Sequence, residues 1–191
     1  MSLNAVEIAI IMALIITAVM CLAHKYVNRY RWVVYLITLL VGAYFVLPNV
    51  LGYEIGWLSG RSPFKQAFTL GALSCMLFAV VAYVGVLPDK WKLKKRLKGI
   101  RAELSVMACI LAFCHTMYFS YYFITFFTDP GSLNGYYIYA CAASLVLDCL
   151  MVPLMITSFY SVRKYFKAST WKRLQQCSYI FYVALLVHVW G

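Results

Sequence analysis

The chain has 191 residues, of which 64% are hydrophobic and only 12% charged. A soluble domain is roughly 45–50% apolar and about 25% charged, so this chain has too little polar surface to coat a water-soluble globule. Together with a mean hydropathy of +0.81, that excludes a soluble enzyme, a nucleic-acid-binding domain and a disordered protein. A net charge of +11 on so apolar a chain marks cytoplasmic loops between membrane spans rather than affinity for nucleic acid.

A membrane crossing needs about 20 predominantly apolar residues. Six runs qualify, at approximately 5–23, 32–51, 66–87, 103–127, 136–160 and 174–190. They predict an all-α membrane protein, a six-transmembrane helix bundle forming a single transmembrane domain over 1–191. The first run has no basic residues before it; Lys25, Arg29 and Arg31 follow it. That is the pattern of a retained span with its N-terminus outside, not of a signal peptide.

Lys and Arg fix the expected orientation. The loops after spans 1, 3 and 5 hold 15 of them, and the loops after spans 2 and 4 hold 2, Arg61 and Lys65. The positive-inside rule makes the odd loops cytoplasmic and places both termini outside. Tyr53, Trp57, Tyr121, Tyr122, Tyr136 and Tyr137 then fall at the outer interface, and Trp32, Trp91 and Trp171 at the inner one, where amphipathic rings collect. The basic loop 89–101 reads as a topology signal attracted to anionic lipid, or as a docking site for an acidic redox partner.

The seven cysteines, Cys21, Cys75, Cys109, Cys114, Cys141, Cys149 and Cys177, form no CxxC or CxxCH. No zinc knuckle or c-type haem attachment follows, and the cysteines read as small buried hydrophobes.

Three histidines occur. His24 follows span 1 at the cytoplasmic edge and reads as interfacial. His115 and His188 lie inside apolar runs, where ionisable groups are costly and usually functional. His115 is 12 residues into span 4 and His188 is 14 residues into span 6, which at the helical rise is about 18 and 21 Å. Two parallel helices would then carry an imidazole at one level, the arrangement for bis-histidine ligation of a b-type haem. The alternative is two unrelated histidines, each hydrogen-bonded to a helix neighbour. Phe113, Met117, Tyr118, Phe119, Tyr182 and Trp190 could wall a macrocycle and equally could be ordinary core. Asp148, 12 residues into span 5, reads as a proton relay, a partner for a ligand histidine, a quinone contact, or a protonated side chain bonded to a neighbouring helix. Pro153 nearby can kink that helix and release a carbonyl.

M-I-T-S at 155–158, Arg163 and Lys164, W-K-R-L-Q at 171–175 and L-L-V-H-V-W at 185–190 together resemble the ferric reductase-like transmembrane family. The likeness is closest to its branch of haem membrane subunits from periplasmic methionine sulfoxide reductase systems, the MsrQ proteins. Upstream, Leu87-Pro88, the basic loop, R-A-E-L-S at 101–105 and Cys114-His115 are similar too. The resemblance covers about 66–190 as a haem-binding core. Residues 1–51 are then additional N-terminal helices, and the chain's end three residues past His188 suggests that the core's last helix is absent.

The resemblance implies His115 and His188 as one haem-ligand pair. Two departures matter. The family's W-K-R-L-H histidine is Gln175 here, and an inner-leaflet histidine of its eukaryotic relatives, 14 residues before His115, is Arg101 here. Arg does not ligate iron, because it stays protonated. The expectation is one haem b, towards the outer leaflet, and no inner haem. With no GxGxxG for a nucleotide, the electron donor is a separate molecule, a cytoplasmic flavoprotein or a membrane quinol, and the acceptor an extracytoplasmic redox protein. Gln175 or Gln176 would then contact a quinone or flavin carbonyl. The competing reading is a non-haem membrane scaffold or small transporter subunit derived from the same fold. The implied location is the cell membrane, a bacterial inner membrane, with lipid and no nucleic acid as a partner.

Overall fold

The computed structural model describes residues 3–53 and 62–190, and their secondary structure is helical throughout. The chain divides into two compact units, Met1–Tyr118 and Phe119–Gly191. Trp57 and Arg61 lie outside the described residues.

In the first unit, α1 (Ala5–Leu22) starts at Asn4, whose side chain accepts from the Glu7 amide while the Glu7 carboxylate accepts from the Asn4 amide. This reciprocal pair satisfies two of the amides that a helix start leaves without partners. A short helix α2 (His24–Arg29) leads into α3 (Arg31–Leu51). Next come α4 (Pro63–Thr69), α5 (Ala72–Tyr83) and the long α6 (Lys92–Tyr118). The first half of α6 carries the basic run and the second half is apolar. Leu97, Ile100, Leu104, Met107, Leu111 and Cys114, spaced three and four apart, are all buried, the stripe expected of a helix that faces a core. Helices α3 and α5 both pack along α6, and α1 packs on α4 and α5.

Two close approaches fix these contacts. At Gly42 on α3 a Cβ would stand 2.6 Å from Cys114 Sγ, so the missing side chain is what lets the helices meet, as small residues do between membrane helices. Ser74 on α5 donates to the Ala108 carbonyl of α6 at 3.1 Å, in the buried interior. Gly42→Ala is expected to destabilise the unit by about 1–3 kcal/mol through overpacking. Adding Cys114→Ala should recover most of that loss. Unfolding in mixed micelles checks it, and equal losses for the single and the double variant would count against the contact.

The second unit comprises α7 (Ser120–Thr128), a 3-10 turn (Pro130–Ser132), α8 (Gly135–Ser158), α9 (Tyr160–Arg163), α10 (Ala168–Gln176) and α11 (Ser178–Trp190). Asn134 caps α8 by accepting from the Tyr137 amide. Helices α10 and α11 both pack against α8, and Tyr137 stacks on Tyr122 of α7 with ring centroids 4.1 Å apart.

Among the described residues three helices, α1, α3 and α8, are long and apolar enough to cross a membrane, and the bent pair α4–α5 makes a fourth if counted as one span. The remaining expected spans differ from uninterrupted helices for local reasons. The third is bent by 62° between α4 and α5, where Gly71 takes the left-handed φ of +74°, a conformation open to glycine at little cost. The fourth is the apolar half of α6 followed, after a break at Phe119, by α7. The sixth divides at Cys177: α10 carries Lys172, Arg173, Gln175 and Gln176, while α11 is apolar but only 13 residues long, about 20 Å by helical rise.

The basic loop is not uniformly available. Lys94 is buried, and its Nζ donates to the carbonyls of Gly85 (3.3 Å) and Leu87 and pairs with Asp89 at 3.1 Å. A cation here meets carbonyls that follow the end of α5. Hydrogen bonds from Lys94 and Lys98 hold the exposed Asp89 carboxyl below the ordinary aspartate range. Of the cysteines, Cys21, Cys109, Cys114 and Cys141 are buried, Cys75 and Cys177 half-buried, and Cys149 exposed on α8. The reading of buried hydrophobes therefore does not extend to Cys149.

Candidate functional site

His115 stands in the last turn of α6, on the side that meets Thr69 of α4 and Gly71. Its Nδ1 lies 2.7 Å from the carbonyl oxygen of Thr69. A carbonyl can only accept, so Nδ1 carries the proton and the neutral ring presents its lone pair at Nε2. The carbonyl is available because the helix breaks at Gly71: residues past Thr69 leave the path along which the regular i+4 amide would have reached it. The broken segment also supplies the floor of the ring. A Cβ on Gly71 would stand 3.1 Å from His115 Cδ2 and Cγ and 3.3 Å from Nδ1. Leu111 and Cys114, just before His115, pack towards Gly42 of α3, so α6 is gripped from both sides at this level.

His188 stands in the second unit, in the last turn of α11, and is half-buried. The carbonyl of Val187, immediately before it, accepts from the Tyr139 hydroxyl of α8 at 2.6 Å, tying the end of α11 to α8. Because Leu174 belongs to α10, the rise to His188 along α11 alone is counted from Ser178 and is about 15 Å, not 21 Å. His24 lies at the start of α2.

The W-K-R-L-Q segment forms a different kind of site. Thr157, buried near the end of α8, is its hub. Its hydroxyl donates to the Pro153 carbonyl at 2.8 Å and accepts from Gln175 Nε2 at 3.1 Å, and its carbonyl accepts from Trp171 Nε1 at 3.1 Å. The Arg163 guanidinium lies over the Trp171 ring, 4.1 Å from its centroid, a favourable cation–π geometry. Gln175 is thus one tooth of a clasp that fastens α10 to α8. An amide NH2 has a second N–H, so this bond leaves a donor for another acceptor. Asp148 is half-buried midway along α8 and, among the described residues, makes no hydrogen bond or ion pair.

Phe113 and Tyr118 share α6 with His115, where Phe113 is half-buried and Met117 exposed; Phe119, Tyr182 and Trp190 belong to the second unit, and Trp190 is 90% exposed. Thr69 and Gly71 touch the first histidine and carry no functional expectation from sequence, although a glycine inside an apolar run is a visible punctuation mark. Glu103, nearly inaccessible, pairs with Arg31 at 3.9 Å across α6 and α3. A lone acidic residue at the foot of an apolar run is the signal that could have found it.

Among the described residues no three His, Cys, Asp or Glu side chains gather as donors for a bare metal ion. A haem needs only two axial donors from protein, because its macrocycle supplies the other four.

The family model described as ferric reductase like transmembrane component matches residues 67–186. The chain belongs to the ferric reductase-like transmembrane family, and that membership points to electron transfer in a membrane. An uncharacterized protein of Treponema pallidum (strain Nichols) is 34% identical over 170 residues, covering 88% of this chain and 47% of that protein. The chain therefore spans about half the length of the curated relative it matches. No solved structure matches it.

Proposed function

We propose that this chain is a single-haem b-type cytochrome of the ferric reductase-like family that carries electrons from a cytoplasmic flavoprotein or membrane quinol to an extracytoplasmic redox protein. The observation that carries this reading is the His115 Nδ1–Thr69 carbonyl bond at 2.7 Å. A metal-ligating histidine almost always donates its other ring N–H to such an acceptor, which fixes the tautomer and ring orientation. His115 and His188 are the residues that would hold the haem. When bound, the haem would supply one-electron chemistry. Of the chain's own residues, Thr69 orients His115 through its carbonyl. Arg101 stands where the eukaryotic relatives place an inner ligand, and Gln175 supplies an amide where the family's other inner histidine would be.

The same reading gives six crossings with both termini outside and a cell-membrane location. Asp148 is then the proton relay within α8. The second N–H of Gln175, or Gln176, donates to a quinone or flavin carbonyl at the cytoplasmic side. The match to the methionine sulfoxide reductase branch rests on 155–190 and makes a periplasmic reductase the proposed acceptor.

The test is the reduced-minus-oxidised spectrum of the purified full chain from haem-replete cells, together with reporter fusions. The expected result is a low-spin b-type signal at about one haem per chain. Fusions at Lys94 and Lys167 should read cytoplasmic and a fusion at Ser132 external. A haem-free protein would overturn the cytochrome reading, and reversed reporters would overturn the orientation.

A further inference from the structure

The break between α4 and α5 falls where His115 meets it. Three observations converge there. Gly71 is left-handed at φ +74°. The Thr69 carbonyl, two residues earlier, receives the His115 Nδ1 proton. Gly71 stands so close to the imidazole that a Cβ would meet three ring atoms at 3.1–3.3 Å. In a straight helix Thr69 would spend its carbonyl on the amide four residues on, and residue 71 would carry its side chain without penalty. The bend does the opposite of what a membrane helix needs for its own stability, since it withdraws a backbone bond inside an apolar layer. The His115 ring restores that bond.

We propose that the Gly71 break is a positioning device for the axial histidine: it presets the Nδ1–H tautomer and ring plane of His115 and, through the Thr69 carbonyl, holds the bound haem at a lower reduction potential than an untethered imidazole would. This rests on the cytochrome reading above. The electronic argument is direct. An N–H donated to a carbonyl makes the opposite nitrogen a stronger base, and a stronger axial base favours the ferric state. Gly71 and Thr69 do not touch iron and act through His115.

The experiment compares Gly71→Ala with Gly52→Ala in the full chain. Gly52 is equally left-handed at φ +72°, and a Cβ there meets nothing within 4 Å, so it reproduces the backbone strain without the histidine contact. Gly71→Ala is expected to weaken haem retention about 10–100-fold. In the haem that stays bound, the ratio of reduced to oxidised protein at a fixed ambient potential should rise roughly ten-fold, which is about 59 mV for a one-electron couple. The low-spin EPR g-values should change with it, and Gly52→Ala should change neither quantity. Gly71→Ala with wild-type potential and g-values overturns the proposal.

A second measurement needs neither haem nor the alanine variant. In haem-depleted, 15N-histidine-labelled wild type, His115 is expected as the Nδ1–H form, the opposite of the form that imidazole favours in water. In Gly71→Asn, which tolerates a left-handed φ yet carries a Cβ, it should shift towards Nε2–H. A wild-type His115 already in the Nε2–H form overturns the device. A wild type that comes haem-free from haem-replete cells while His115 still holds Nδ1–H overturns the cytochrome reading and the effect on potential with it, and leaves only the His115–Thr69 tether.

Discussion

Membranes carrying His115→Ala are expected to lose the b-type haem signal altogether. The substitution removes an axial donor and also the Nδ1–H that satisfies the Thr69 carbonyl, and an unsatisfied carbonyl in an apolar environment costs about 1–3 kcal/mol. Two losses coincide, so less protein as well as less haem should be recovered. His188→Ala should abolish the signal too, and it leaves in place the helix-to-helix bond from the Tyr139 hydroxyl to the Val187 carbonyl. His24→Ala should keep full haem content. Pyridine haemochrome quantification against protein content separates the cases. Full haem in His115→Ala would end the assignment of that ligand.

Arg31→Met is expected to produce the largest loss of stability among substitutions away from the histidines, about 3–5 kcal/mol, the range for stranding a buried charge by removing its partner. The Glu103 side chain is 5% exposed, and Arg31 Nη1 is 3.9 Å from its carboxylate. The guanidinium also donates to the Asn28 carbonyl, at 3.2 Å from Nε and 3.0 Å from Nη2. The reverse substitution, Glu103→Gln, should cost less. It leaves a cation that is 28% exposed and can turn to water or lipid headgroups. Arg31→Met combined with Glu103→Gln should be more stable than Arg31→Met alone. Unfolding of the three variants in mixed micelles checks the order, and equal losses in both single variants would contradict it.

Hydropathy made the uninterrupted helices legible. The runs at 5–23, 32–51 and 136–160 correspond to α1, α3 and α8 within a residue or two at each end, because a long apolar stretch has few other ways to satisfy its backbone. What hydropathy could not register are breaks made by single residues. A window average gives Gly71 nearly the same weight as its neighbours, yet its dihedral angle turns the chain by 62°. The expected sixth span began at Leu174 and so joined the last three residues of α10 to the apolar α11, although the chain breaks between them at Cys177. At the candidate site, the rarity of histidine singled out His115. Its acceptor is a main-chain oxygen, which leaves no trace in residue identity. The role of Gln175 was similarly hidden, because its partner Thr157 lies 18 positions away on another helix.

The cradle under His115 is built almost wholly from main chain, and this decides which mutations it can absorb over evolutionary time. A small replacement at position 69 leaves the carbonyl oxygen where it is, since the acceptor belongs to every amino acid alike. Position 71 has no such latitude, because both its dihedral angle and the ring above it exclude a side chain. Drift can rewrite most of this bend and keep the ligand in place, while one codon bears nearly all of the constraint.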